Sequence, residues 1–117
     1  MNTSVVHEDA FLFSAGHVVR TRSASLALVR GHTSEWSLLQ RHCRGDFGEL
    51  SPADRARNQE SLGNGGPIMS AYRVAGMTLW IITEPYWSTT TVLLPEEFDQ
   101  CFPSGLVAGR IGASARA

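Results

Sequence analysis

Three ionisable side chains of this 117-residue sequence are the candidates for acid–base catalysis: His42, Asp46 and Glu84. An imidazole and two carboxylates that met at one point could hydrolyse a phosphodiester or an ester. The loop after the second predicted helix would then have to fold over the end of the predicted sheet, and nothing in the sequence enforces this. We favour the alternative that His42 is partly buried on its helix and that Asp46 accepts backbone N–H groups across the loop from Gly45 to Gly48.

The two cysteines are not arranged for catalysis or metal binding. Cys43 directly follows His42, but neighbouring residues on a helix point about 100° apart, which disfavours a thiol–imidazole pair. Cys43 and Cys101 lie far apart, and no cysteine–histidine cluster has the spacing of zinc ligands. We therefore expect two reduced thiols, with Cys43 buried, and neither a metal nor a cofactor.

Two further sets of side chains could contact a partner or ligand. Tyr86 and Trp87 lie on a predicted strand connection, where aromatic residues are hard to explain as core, and Arg73 could join them. Tyr, Trp and Arg are common anchors of protein interfaces, so these three residues form the predicted partner surface. Two alternatives involve the same residues. The aromatic rings and arginines could bind a single-stranded nucleic acid, which the charge balance disfavours, or Trp87 could pack under the C-terminal tail. The second set could line a small polar pocket, although a β-branched strand face gives similar residues without a ligand. Its members are Arg41, Asn58, Tyr72 and Thr90.

Three helices are predicted between residues 23 and 62, and one of them should position His42. A helix is predicted from Ser23 to Arg30, with Gly31 as a left-handed cap. Another begins at Ser51, where serine, proline and aspartate form a variant of the capping box, and ends near Leu62.

The helix between them should carry His42. Thr33 or Ser34 can cap its start. Trp36, Leu39 and Cys43 then recur at helical spacing, which predicts a buried stripe.

From residue 68 the period changes to two. Residues 68–74 and 77–84 flank an Ala75-Gly76 turn and predict a β-hairpin, and residues 88–94 predict a third strand. Residues 16–21 predict a short N-terminal strand. Since two of the strands are apolar on both faces, a helical layer should cover one face and a second layer or a partner the other. The expected fold is α+β: an N-terminal short strand and two or three helices packed on a three- to four-stranded antiparallel β-meander.

The composition predicts one domain. Ten arginines and no lysine oppose eleven acidic residues, giving a net charge of −1, so there is no broad positive field for duplex binding. We expect a single domain over residues 10–98, flanked by a flexible N-terminus (1–9) and a flexible tail (99–117). No apolar run approaches the roughly 20 residues of a membrane helix, and nothing resembles a secretory signal, so the expected location is the cytoplasm.

Several ordered blocks also resemble a known family. They read R-H-C-R-G-D-F-G-E-L over residues 41–50, Asn58, S-A-Y over 70–72, L-W-I-I-T-E over 79–84 and T-T-V-L-L-P-E-E-F over 90–98. This pattern is similar to R-H-x-x-G-D-W-G, N, S-x-Y, W-I-I-T-E and T-T-V-L-L-P-E, found in a family of small proteins of plasmids, integrative elements and phages. Residues 16–21 also fit the family's opening. The sequence departs from the pattern at Phe47, where the family has tryptophan, and at residues 85–87, where it has Ala-Asp-Arg.

The resemblance implies a location and a genetic origin, but no activity. The protein would be encoded on a mobile genetic element and act in a bacterial cytoplasm, where small proteins of such elements often counter host defences. The leading hypothesis is thus a non-catalytic accessory protein that binds another protein, such as a component of CRISPR interference or restriction. One alternative is a small hydrolase or ribonuclease using His42, Asp46 and Glu84. The other is a nucleic-acid-binding regulator, which requires several arginines on one face. An apolar outer face on the sheet would favour a homodimer.

Overall fold

The computed structural model of the protein describes residues 11–106. Short 3-10 turns cover Pro85–Trp87 and Pro95–Glu97. The four strands are β1 (His17–Arg20), β2 (Ile68–Val74), β3 (Met77–Thr83) and β4 (Thr89–Leu93). The α-helices in the described residues are α1 (Arg22–Arg30), α2 (Glu35–Cys43), α3 (Pro52–Asn64) and α4 (Phe98–Cys101).

Side-chain hydroxyls begin the first three helices. Thr21 caps α1, Ser34 caps α2 and Ser51 caps α3, each accepting a backbone N–H three residues ahead. This satisfies one of the amide donors that a helix start leaves free. The cap of α1 thus lies two residues before the predicted Ser23.

Gly31 ends α1, but not in the predicted left-handed conformation. Its φ is −86°, and the left-handed residue is its neighbour His32. Glycine is required for its size, since a Cβ there would lie 2.7 Å from the Val74 Cγ1 atom.

The sheet has the strand order β1-β4-β3-β2. Strands β2, β3 and β4 form the predicted antiparallel meander, and Ala75 and Gly76 make its first turn with φ values of 54° and 75°. Two successive left-handed residues match the twist of a tight hairpin. Strand β1 joins β4 in parallel, so the α+β fold is confirmed with a mixed rather than a purely antiparallel sheet.

The two faces of the sheet are covered by different parts of the chain. Helices α1 and α2 cover the face that carries Tyr72, Ile81 and Val92, here called the helical face. On the opposite face, Met69, Ile82 and Leu93 pack against α4 and the residues after it, so the second layer comes from the chain itself.

The folded region accordingly extends beyond Phe98. Phe102 and Leu106 are buried against the sheet. This packing is favourable because it removes the apolar side chains of that sheet face from water. The expected flexible tail is wrong for residues 99–106, while residues 107–117 and the expected flexible segment 1–9 lie outside the described residues. The apolar outer face that would favour a homodimer is thus largely covered by this chain.

No helix within residues 11–106 is long and apolar enough to cross a membrane.

Candidate functional site

His42 lies in the core at the end of α2. It is fully buried, with Nδ1 2.6 Å from Ser70 Oγ and Nε2 2.9 Å from Thr83 Oγ1. Burial disfavours the charged imidazolium and lowers the pKa of His42 to about 3. The side chain is therefore a neutral ring with both nitrogens already engaged, rather than the partly buried residue expected.

The hydrogen bonds around His42 form a chain with a fixed direction. The Thr90 hydroxyl donates to the Ala15 carbonyl at 2.6 Å and must accept from Thr83, which lies 2.7 Å away. The Thr83 hydroxyl then accepts from His42 Nε2–H, so Nδ1 is the acceptor for Ser70. This chain joins α2 and three strands to the segment before β1, and it fixes the imidazole tautomer.

The three candidate catalytic residues do not form a reaction centre. Asp46 lies on the surface, where its carboxylate accepts from Arg41 Nε at 2.7 Å and from the Gly48 amide at 3.4 Å. The Arg41 guanidinium holds the pKa of Asp46 below its ordinary value. Glu84 is half-buried at the end of β3, and within residues 11–106 no hydrogen bond joins it to His42 or Asp46. The Gly48 contact is the loop role favoured for Asp46 from the sequence.

The residues expected to line a polar pocket are separated into three structural roles. Arg41 stacks on the ring of Tyr72 at 4.6 Å, and the Tyr72 hydroxyl donates to the Asp46 carbonyl at 2.6 Å. Asn58 is buried and pairs with both backbone groups of Met69, at 2.7 and 3.0 Å. Thr90 belongs to the chain that begins at His42.

The predicted partner surface is also divided. Tyr86 is 82% exposed, whereas Trp87 is half-buried, packs on Phe13 and donates from Nε1 to the Gly66 carbonyl at 3.0 Å. Arg73 lies near the turn at the other end of β2, five residues from the strand end next to this loop. Trp87 thus anchors the loop, and Tyr86 is the residue it presents to solvent.

Trp36 does not belong to the buried stripe of α2. The buried residues are Leu38, Leu39, His42 and Cys43. At 100° per residue Trp36 lies about 90° from the centre of that stripe, at its border. It is 62% exposed, and the prediction that it is buried is wrong.

Trp36 instead borders a groove of about 470 Å³ between α2 and the chain leading into β1. We call it the α2–β1 groove. Leu12, on the segment 11–16, is 49% exposed beside it. The groove is lined by residues 11–16 together with Val18, Trp36, Leu39, Gln40 and Cys43. The tryptophan in the first turn of α2 and the Phe11-Leu12-Phe13 run were its sequence signals, but only the fold shows that they lie together.

The wall formed by residues 11–16 is held from several directions. The Leu12 amide donates to the Cys43 carbonyl at 2.8 Å, and buried Phe13 contacts the rings of His42 and Trp87. The Ala15 carbonyl receives the end of the hydrogen-bond chain described above. The groove is therefore a fixed feature of the fold.

Charged groups mark the two ends of the groove. Arg20 pairs with Glu35 at 3.3 Å at the start of α2, and Arg44 lies over the Phe11 ring at 5.2 Å near its end. Burial raises the pKa of the Cys43 thiol to about 11, so this lining residue is a protonated thiol rather than a nucleophile. Within the described residues no group of three or more His, Cys, Asp or Glu side chains could hold a metal ion.

Comparisons of the chain with protein-family models, curated proteins and solved structures found no significant match.

Proposed function

We propose that this protein is non-catalytic and acts by binding another protein through the α2–β1 groove. The observation that carries the proposal is the exposure of Trp36 and Leu12 on either side of a preformed apolar depression. Exposed tryptophan costs solvation free energy in a free monomer, and a Trp beside a pocket is a frequent hot spot of protein interfaces.

The chemistry of the described residues supports binding over turnover. His42, the proposed base of a hydrolase or ribonuclease, is enclosed by Ser70 and Thr83 and holds no proton that solvent or substrate can reach.

Charge pairing also disfavours a nucleic-acid regulator. Arg20, Arg41 and Arg57 each lie in an ion pair with a carboxylate, which reduces the positive charge left for phosphates.

The biological setting in this proposal comes from the family resemblance. A small accessory protein of a mobile genetic element in a bacterial cytoplasm would meet host defence proteins, so we propose that the partner belongs to such a system, for example CRISPR interference or restriction. The exposed Tyr86 is a second candidate contact for the same partner.

Affinity purification from a host lysate with mass spectrometry tests the proposal, followed by titration of the purified partner. Trp36→Ala should weaken binding at least about tenfold, since truncating a hot-spot residue costs about 2 kcal/mol or more and about 1.4 kcal/mol is tenfold in affinity. Val29→Ala is the matched control, because Val29 is 71% exposed on α1 and does not line the groove. Equal binding by wild type, Trp36→Ala and Val29→Ala would exclude the groove. Tyr86→Ala tests the second contact in the same titration.

A further inference from the structure

Strand β1 forms an edge of the sheet whose outward backbone groups face away from β4. The His17 amide donates to the Ser88 carbonyl at 2.9 Å, and the Thr21 amide to the Val92 carbonyl at 3.0 Å. Because backbone groups alternate along a strand, the N–H and C=O groups of Val18 and Arg20 point outward. Within residues 11–106 these groups have no backbone partner.

The opposite edge of the sheet, strand β2, is covered by other parts of the chain. On β2, the Asn58 amide pairs with Met69, and Ala71 is bridged to the Phe47–Glu49 loop. Covering an edge in this way prevents unwanted strand pairing. The contrast indicates that β1 is available for pairing.

The α2–β1 groove lies next to this edge on the helical face. Val18 both belongs to β1 and lines the groove. A strand added outside β1 would place its same-face side chains about 5 Å from Val18, directly in the apolar groove beside Trp36. An unpaired edge beside a helix-flanked groove thus suits an extended peptide, whose backbone gives affinity and whose alternate side chains give specificity.

The charge around the edge specifies the peptide further. Residues 11–22 contain His17, Arg20 and Arg22 and no carboxylate. Arg44 adds a cation at the far end of the groove. Two carboxylates offset part of this charge, since Glu35 pairs with Arg20 at 3.3 Å and Glu97 accepts from the Thr21 hydroxyl at 2.8 Å, so the three arginines retain a net positive charge. The surroundings are complementary to acidic side chains on either side of an apolar one.

We propose that β1 binds an extended segment of the partner protein as a fifth strand, with an apolar side chain in the α2–β1 groove and acidic side chains at its ends. This inference rests on the proposed function and names the form of its ligand.

The test begins with selection of linear eight-residue peptides from a displayed library on the full-length protein. We expect selected peptides to alternate apolar and acidic residues and to lose at least about tenfold in affinity with Trp36→Ala. Backbone N-methylation at one set of alternate peptide residues should abolish binding, while the other set tolerates it, because only one set faces β1. Amide exchange at Val18 and Arg20 should be fast in the free protein and slow in the complex.

The outcomes separate the two proposals. Peptides that depend on Trp36 but tolerate N-methylation everywhere, or that bind as helices, overturn strand addition and leave groove binding intact. Peptides without acidic residues overturn the charge assignment. If no selected peptide depends on Trp36, the groove itself is not the binding site. Protection of the Val18 and Arg20 amides in the free protein would show that this chain or a second copy already pairs with the edge, which also overturns the proposal.

Discussion

At the scale of single residues, the hydrogen-bond partners of His42 could not be predicted from the sequence. Its position on α2 follows from the helical period, but its partners Ser70 and Thr83 lie 28 and 41 residues away along the chain. No local pattern can pair these groups, because the fold alone brings the strands under the helix. Histidine is a residue type that can act as a general base, but in this structure His42 is uncharged and joins α2 to β2 and β3 through two hydrogen bonds.

We predict that His42 makes the protein sensitive to mild acid. Its pKa is near 6.5 in the unfolded chain and about 3 when folded, so the unfolded state binds more protons below pH 6.5. Stability from this residue is complete above pH 6.5 and falls by roughly 1 kcal/mol per pH unit as pH decreases toward 3. Urea denaturation between pH 7.5 and 5 measures the slope. A His42→Gln protein with the same slope as the wild type would contradict the prediction.

Asn58 provides a second test at this scale. Asn58→Ala should lower the free energy of unfolding by about 2 kcal/mol, because it leaves the amide and carbonyl of Met69 without their partner in a buried position. Chemical denaturation measures the change. Gln59→Ala, one residue along α3 and exposed, should alter stability by less than about 0.5 kcal/mol.

At the scale of elements, the sequence predicted the hairpin and the helix start, because each depends on residues that are neighbours along the chain. The period of two and the Ala75-Gly76 pair predicted the β2–β3 hairpin, and the Ser51-Pro52 sequence predicted the start of α3. The parallel pairing of β1 with β4 was not predicted, since His17 pairs with Thr89 and nothing near either residue specifies the other. The α2–β1 groove depends on that pairing, which is why the sequence did not reveal it.

Gly16 should be essential for the wall of the groove. It has a φ of 66°, and a Cβ there would overlap the backbone of Trp87 and Ser88. Gly16→Ala should cost at least about 2 kcal/mol of stability and weaken partner binding, as measured by denaturation and titration. In α3, Gly63→Ala meets no atom within 4 Å and should instead stabilise the protein by about 0.5 kcal/mol.

The loop that presents Tyr86 carries backbone strain. Tyr86 and Trp87 have φ values of 65° and 56°, a region that L-residues with bulky side chains disfavour. Because asparagine tolerates this region better than β-branched residues, Tyr86→Asn should be more stable than Tyr86→Val by about 1–2 kcal/mol. Thermal and urea denaturation of both variants measure the difference, and equal stabilities would show that the strain is absent.

At the scale of the whole molecule, the sheet lies between helices α1 and α2 on one face and residues 98–106 on the other. The sequence predicted the need for two covers from strands that are apolar on both faces. It did not identify the second cover, because residues 99–106 are rich in turn-forming and polar types, and their few aromatic and aliphatic side chains become informative only against the sheet.

Phe102 tests this cover. Phe102→Ala should destabilise the fold by about 3 kcal/mol and increase binding of a hydrophobic dye, because it removes a buried ring that contacts Phe98 over the sheet. Exposed Gln100 gives the matched control, and Gln100→Ala should change neither quantity. A stable Phe102→Ala protein that binds no dye would mean that this segment does not cover the sheet in solution.

The parallel pairing of β1 has a consequence for biosynthesis. Residues 21–88 separate β1 from β4 along the chain, so the ribosome makes β1 before any residue of the strand with which it pairs. Closing such a long loop is slow compared with forming the β2–β3 hairpin. Strand β1 therefore stays without its neighbour until β4 has left the ribosome, and the α2–β1 groove beside it is completed only after that point.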